Sequence, residues 1–139
     1  MKNLSIKFIR SNKYTAIGQI TINDFKEKFE MSLDAWNIVA YEKQWKEGLE
    51  RIKTHNTSAL ITDIRDLDVF AFVNWWVLYR EDNKIFIRNQ ILIDKKFEKR
   101  LKTEPFNHET CYNFIDRRIV YHKDKPSEWV IHLNDLDNI

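Results

Sequence analysis

Apolar and polar positions alternate most clearly between Val69 and Ile93, where two strongly β-forming runs flank Glu81-Asp82-Asn83-Lys84. That polar interruption is short enough for a hairpin turn. With Asp82-Asn83 at the tip, Glu81 pairs with Lys84, Tyr79 with Phe86, Val77 with Arg88, and Trp75 with Gln90. Because successive strand residues point to opposite faces, one face then carries Phe70, Phe72, Trp76, Leu78, Ile85, Ile87, Ile91 and Ile93. The other carries Ala71, Val73, Trp75, Val77, Tyr79, Phe86 and Leu92, together with Arg88 and Gln90. The first face demands a large cover. The second is mixed, open to partial cover or to a partner.

Upstream, Leu4–Ile9 and Tyr14–Ile22 alternate as strands around a Ser11-Asn12-Lys13 turn. Phe25 and Phe29 are four residues apart, which suits a short helix or an irregular segment over residues 23–30. Ser32 reads as an N-cap, with Asp34 in the first turn and Met31 and Trp36 spaced as a hydrophobic staple. The helix then runs to about Lys53, with Trp36, Tyr41, Trp45, Leu49 and Ile52 on its apolar stripe. It is expected to cover one face of the central sheet. Gly48 weakens it unless close packing compensates.

Ala59–Ile64 is a short strand, followed by the acidic connector Asp63–Asp68. After the central hairpin, residues 94–105 read as a polar loop or short helix ending by Pro105. Tyr112 and Phe114 suit a sheet edge, and Arg117–His122 with Glu128–Leu133 suit a closing hairpin. The expected fold is α+β: a mostly antiparallel meandering sheet packed against one long inserted helix, in a single domain over residues 1–139.

Composition narrows the function. At 139 residues the chain can bury a core without metal or disulfide help. Only 2 Gly and 2 Pro argue against a phosphate cradle and long loops. A net charge of +2 suits neither a dedicated nucleic-acid binder nor a polyanionic mimic. The single Cys111 suits a reducing compartment. The start lacks a continuous apolar signal-peptide region, and Val69–Tyr79 is too short to span a bilayer. A cytoplasmic protein is expected, with no membrane partner.

Enzyme chemistry finds little support. His55, His108, His122 and His132 show no metal-ligand spacing, and Cys111 has no CxxC partner. No cofactor or metal is expected. A metal-independent ribonuclease built on His108, His122 and His132 is one alternative. A small RNA-binding protein using the basic Lys95–Lys102 segment is another. Partner binding is the stronger reading. Asp63, Asp66 and Asp68, with Glu81 and Asp82, form a candidate acidic rim. Trp75, Tyr79 and Arg88 share one face and are residue types enriched at interface hot spots.

The stretches FKEKFEMSLDAWNIVAYEKQWKEGLERI, TSALITDI, WWVLYREDNKIFIRNQILI and SEWVIHLNDL follow one another in a characteristic order. Together they resemble the bacterial contact-dependent growth inhibition immunity proteins, over roughly residues 18–139. Matching positions include Trp36, Tyr41, Gln44, Trp45, Trp76, Arg80 and Trp129. The resemblance implies a protein that binds the C-terminal toxin domain of its matching contact-delivered effector and neutralises it in the cytosol. Many such toxins are nucleases. It further implies a pair-specific contact surface, with no catalytic set and no direct nucleic-acid binding.

Overall fold

A computed structural model describes residues 3–65, 71–121, 123 and 126–136. Two antiparallel sheets form in chain order. The first holds β1 (Leu4–Ser11), β2 (Thr15–Ile22) and β3 (Phe25–Ser32). The second holds β4 (Thr57–Arg65), β5 (Phe72–Glu81), β6 (Lys84–Leu92) and β7 (Trp129–His132), in that spatial order. Between the sheets in sequence lies α1 (Ile38–Arg51), and after β6 comes the short α2 (Lys95–Leu101). The class is α+β, as the patterning predicts. The helix, however, follows a three-stranded meander and not a single hairpin.

The central hairpin has the expected register throughout, with Glu81 opposite Lys84 and Trp75 opposite Gln90. Asp82 takes the positive φ of 55° that its tight turn requires. Residues 23–30 instead form a turn and most of β3, which pairs along its length with β2 from Phe25↔Ile22 to Ser32↔Thr15. Phe25 and Phe29 fit a period of two as well as a helical spacing, and the neighbouring strand decides between them.

That strand also displaces the start of the helix. Ser32 belongs to β3, its N–H bound to Asp63 Oδ1 at 2.9 Å and its carbonyl to the Tyr41 hydroxyl at 2.8 Å. Asn37 caps α1 instead, accepting from the Ala40 N–H at 2.8 Å. Trp36 and Tyr41 then hold the staple positions, with ring centroids 5.4 Å apart.

The helix does not lie on the face of the second sheet. It runs along the open edge of β4. Arg51 Nε donates to Thr57 O, Gln44 Nε2 to Ala59 O, and Trp45 Nε1 to Ile61 O. Gln44 Oε1 accepts from the Ile61 N–H, and the Tyr41 hydroxyl accepts from the Ile64 N–H. Side chains thus satisfy the groups that another strand would have paired. Gly48 permits this close approach, because a Cβ there would collide with the Ala59 carbonyl.

The two faces of the second sheet are covered by different elements. On the first, Trp76 meets Phe25 of β3 and Trp129 of β7, at centroid distances of 6.2 and 5.4 Å. On the second, the chain after β6 folds back. Phe106 contacts Trp75 and packs with Phe97 and Phe114 in an aromatic cluster. Cys111–Phe114 is a 3₁₀ turn in this cover and not a sheet edge. The expected closing hairpin of Arg117–His122 with Glu128–Leu133 does not form: Trp129–His132 pairs with β6, whereas residues 115–121 form no strand. Residues 122, 124 and 125, including His122, lie outside the described residues.

Candidate partner interface

The structure separates the proposed contact residues into interior and surface. Trp75 is fully buried and Tyr79 is nearly so. The Tyr79 hydroxyl donates to Asp116 O at 2.9 Å and accepts from Gln90 Nε2 at 3.2 Å. Arg88 is buried against Glu128 and Ile119. These three share a face, as their register requires, but the folded-back chain covers it. Trp75 and Tyr79 cannot present a hot spot directly, and Arg88 reaches only the walls of two recesses. Their side chains instead hold the cover in place.

The acidic rim is divided as well. Asp63 is buried, accepting from the Ser32 N–H and from Arg65 Nε at 2.7 Å. Burial pushes its carboxyl above the usual range, an effect only partly offset by those two donors. Asp66 and Asp68 lie outside the described residues. Glu81 and Asp82 are exposed at the β5–β6 turn. Glu81 lies 3.5 Å from Arg118, whose guanidinium also binds Glu128.

Arg118 and Arg88 meet at Glu128. Arg88 Nε and Arg118 Nε donate to Glu128 Oε2, while Arg118 Nη2 donates to Oε1 at 2.8 Å. Burial alone would raise this carboxyl, but the hydrogen bonds from Arg118 and Arg88 and their charges outweigh it and hold it low. Arg118 also stacks 3.9 Å above the centre of the Phe86 ring, and Arg88 Nη2 binds the Ile119 carbonyl at 2.8 Å. This network attaches residues 117–121 to the sheet.

What it attaches is an apolar surface. Ile119 is 53% exposed, Val120 65% and Tyr121 39%, and Ile91 beside them is 52% exposed. Ile91 and Ile93 therefore stand outside the core to which the strand alternation assigns them. A recess of about 330 Å³ lies between β6 and this segment, lined by Ile91, Ile119, Tyr121, Asp94, Asp116 and Arg117 among others. A second of about 290 Å³ adjoins it through Arg88, Tyr121 and Pro126. Clustered exposed apolar residues with a polar margin mark interaction surfaces. Alternation in residues 117–121 was the available sequence signal, but it points equally to a buried strand.

The remaining chemistry is dispersed. His108 binds Glu47 of α1 at 3.1 Å, and His132 is exposed on β7. Cys111 is buried, which pushes its thiol up to about 12. Among the described residues, no three His, Cys, Asp or Glu side chains converge as metal ligands. No helix there is long and apolar enough to cross a membrane.

A family model described as the CdiI N-terminal domain matches residues 31–139. The curated immunity protein CdiI of Enterobacter cloacae subsp. cloacae is 30% identical over 122 residues, which cover 86% of this chain and 80% of that protein. A chain in the solved CdiA-CT/CdiI toxin and immunity complex from Enterobacter cloacae superposes with a TM-score of 0.76 at 26% identity. That superposition covers 97% of this chain and 94% of the other. With a matching model across most of its length and a relative similar over nearly all of it, the protein belongs to the CdiI family of contact-dependent growth inhibition immunity proteins.

Proposed function

We propose that this protein is a cytoplasmic immunity protein that binds and neutralises the C-terminal toxin domain of its matching effector. Inhibition is by stoichiometric occlusion and not by turnover, and needs neither cofactor nor metal. The toxin is a nuclease in this reading, an assignment supported by the family resemblance described above. Toxin–immunity pairing is supported by the structural likeness to a chain of the CdiA-CT/CdiI complex.

The observation that carries the contact surface is the exposure of Ile91, Ile119, Val120 and Tyr121 around two adjoining recesses. An apolar centre with polar surroundings is the arrangement from which a few residues supply most of the binding energy. Asp94, Asp116 and Arg117 line its margin, and Glu81 and Asp82 extend an acidic border beyond Arg118. Trp75, Tyr79 and Arg88 contribute from beneath by holding the folded-back chain in place, whereas Asp63 joins β3 to β4 away from this surface. With a net charge of +2, recognition depends on local pairing and not on overall attraction.

Co-expression with the matching toxin domain tests the reading. Growth should be restored, a complex should purify, and nucleic-acid cleavage by the toxin should stop on stoichiometric addition. Failure of rescue together with absence of a complex would sink the proposal. Ile119→Arg should weaken the complex by roughly tenfold or more while leaving the fold intact. Undiminished affinity would move the contact elsewhere.

A further inference from the structure

The sheet edges of this molecule are treated unequally. The edge of β4 is occupied by side chains of α1. The outer edge of β7 is short, and its Val130 carbonyl accepts from Asn23 Nδ2 at 3.3 Å. β1 is bent by a bulge in its pairing with β2 and carries exposed Lys7 and Arg10. Along β3, exposed Lys26, Glu27, Lys28 and Glu30 guard the margin. These are the usual devices against unwanted strand pairing.

Among the described residues, one edge lacks them. β7 pairs with β6 only from Lys84↔His132 to Ile87↔Trp129, although β6 continues to Leu92. Backbone groups alternate in direction along a strand. Leu133 N–H donates to Asn83 O at 2.7 Å, so every second residue from Asn83, through Ile85 and Ile87 to Asn89 and Ile91, turns its N–H and C=O to the β7 side. Among the described residues, no backbone group bonds them on that side. The recess of about 330 Å³ lies along this portion of β6. Its apolar walls are Ile91, Ile119 and Tyr121, with Asp94 and Asp116 also lining it.

We infer that the Asn89–Ile91 edge of β6 receives an extended segment of the toxin domain, which adds a strand to the second sheet. The inference rests on the immunity reading and specifies how that surface recognises its partner. The incoming segment carries apolar side chains on both of its faces, one side directed toward Ile91 and the other toward Ile119 and Tyr121. A basic residue beside them faces Asp94 and Asp116, of which Asp116 has only the exposed Lys96 at 3.5 Å as a salt-bridge partner among the described residues. Main-chain bonds supply part of the affinity and the alternate side chains supply selectivity. A partner helix would use the apolar walls but would leave both β6 amides unpaired.

Amide hydrogen exchange on the full chain, free and mixed with its matching toxin domain, tests this directly. In the free protein Asn89 and Ile91 should exchange quickly, whereas Arg88 and Gln90, turned toward β5, should be protected. In the complex both edge amides should slow by roughly tenfold or more. A complex with both amides still exchanging freely would overturn strand addition while leaving the immunity reading intact. Protection already present in the free protein would overturn it too. Absence of any complex would remove the immunity reading and this inference together. As a second readout, Ile91→Pro removes the outward N–H together with the isoleucine side chain, whereas Ile91→Thr alters the side chain and keeps the N–H. The proline variant should bind roughly tenfold more weakly than the threonine variant, with similar unfolding midpoints. Equal affinities would count against the edge.

Discussion

The side-chain oxygen of Gln44 accepts a 2.7 Å hydrogen bond from the main-chain N–H of Ile61, on the side of β4 that has no neighbouring strand. The same amide donates to Ala59 O at 2.7 Å. One glutamine thus presents an acceptor and a donor to a sheet edge, as a strand residue would. It also explains why α1 lies beside the second sheet instead of across it. Gln44→Leu should cost about 2–4 kcal/mol, because two buried main-chain groups lose their partners. Urea unfolding would measure it, and a loss below about 1 kcal/mol would mean that the edge finds other partners.

Gly48 makes the approach of α1 possible. Alanine ordinarily stabilises a helix interior by about 1 kcal/mol relative to glycine. Here the added carbon meets the Ala59 carbonyl, which is main chain, and also lies 3.0 Å from Leu60 Cδ2. Gly48→Ala should therefore destabilise the protein by about 1–3 kcal/mol, the reverse of the helix-propensity expectation. An increase in melting temperature would contradict the packing described here.

The carboxyls of Glu128 and buried Asp63 respond oppositely to pH. Glu128 is held below its ordinary value of 4.5, so its contribution is present above that value and is lost as pH falls through the lowered one. Asp63 is raised above 3.8, so its contribution is present below 3.8 and is lost as pH rises through the raised value. Glu128→Gln should flatten the acid loss of stability, whereas Asp63→Asn should remove the opposing gain. Denaturation curves across the acid range would show both. A Glu128→Gln variant that loses as much stability on acidification as the parent would break the assignment.

Buried Cys111, with its thiol pushed up to about 12, should resist alkylation in the native protein near neutral pH. Iodoacetamide labelling followed by mass spectrometry should find it unmodified until the chain is unfolded by denaturant. Rapid native labelling would require an opening of the cover around the 3₁₀ turn.

Much of the fold is legible in the order of residues because its strongest signals are local. The hairpin from Phe72 to Leu92 follows from alternation around a two-residue turn, and its pairing leaves no freedom in register. The family is likewise visible in motifs distributed along the chain. Phe25 and Phe29, by contrast, satisfy two periods, and only pairing with β2 makes them part of a strand. Ser32 has the chemistry of a helix cap, but Asp63 and Tyr41 take its backbone groups.

The candidate surface depended still more on tertiary structure. Trp75, Tyr79 and Arg88 have interface chemistry by residue type, and their common face follows from strand alternation. Whether that face meets a partner or the chain's own return segment is a non-local question, decided by Phe106, Asp116 and Glu128. Ile119 and Tyr121 carry the pattern of a buried strand and become exposed because residues 115–121 form none. By itself the sequence determined the alternating hairpin, the helix-forming segment and the family. Tertiary packing alone decided which apolar residues remained for a partner, because burial belongs to neighbours distant along the chain.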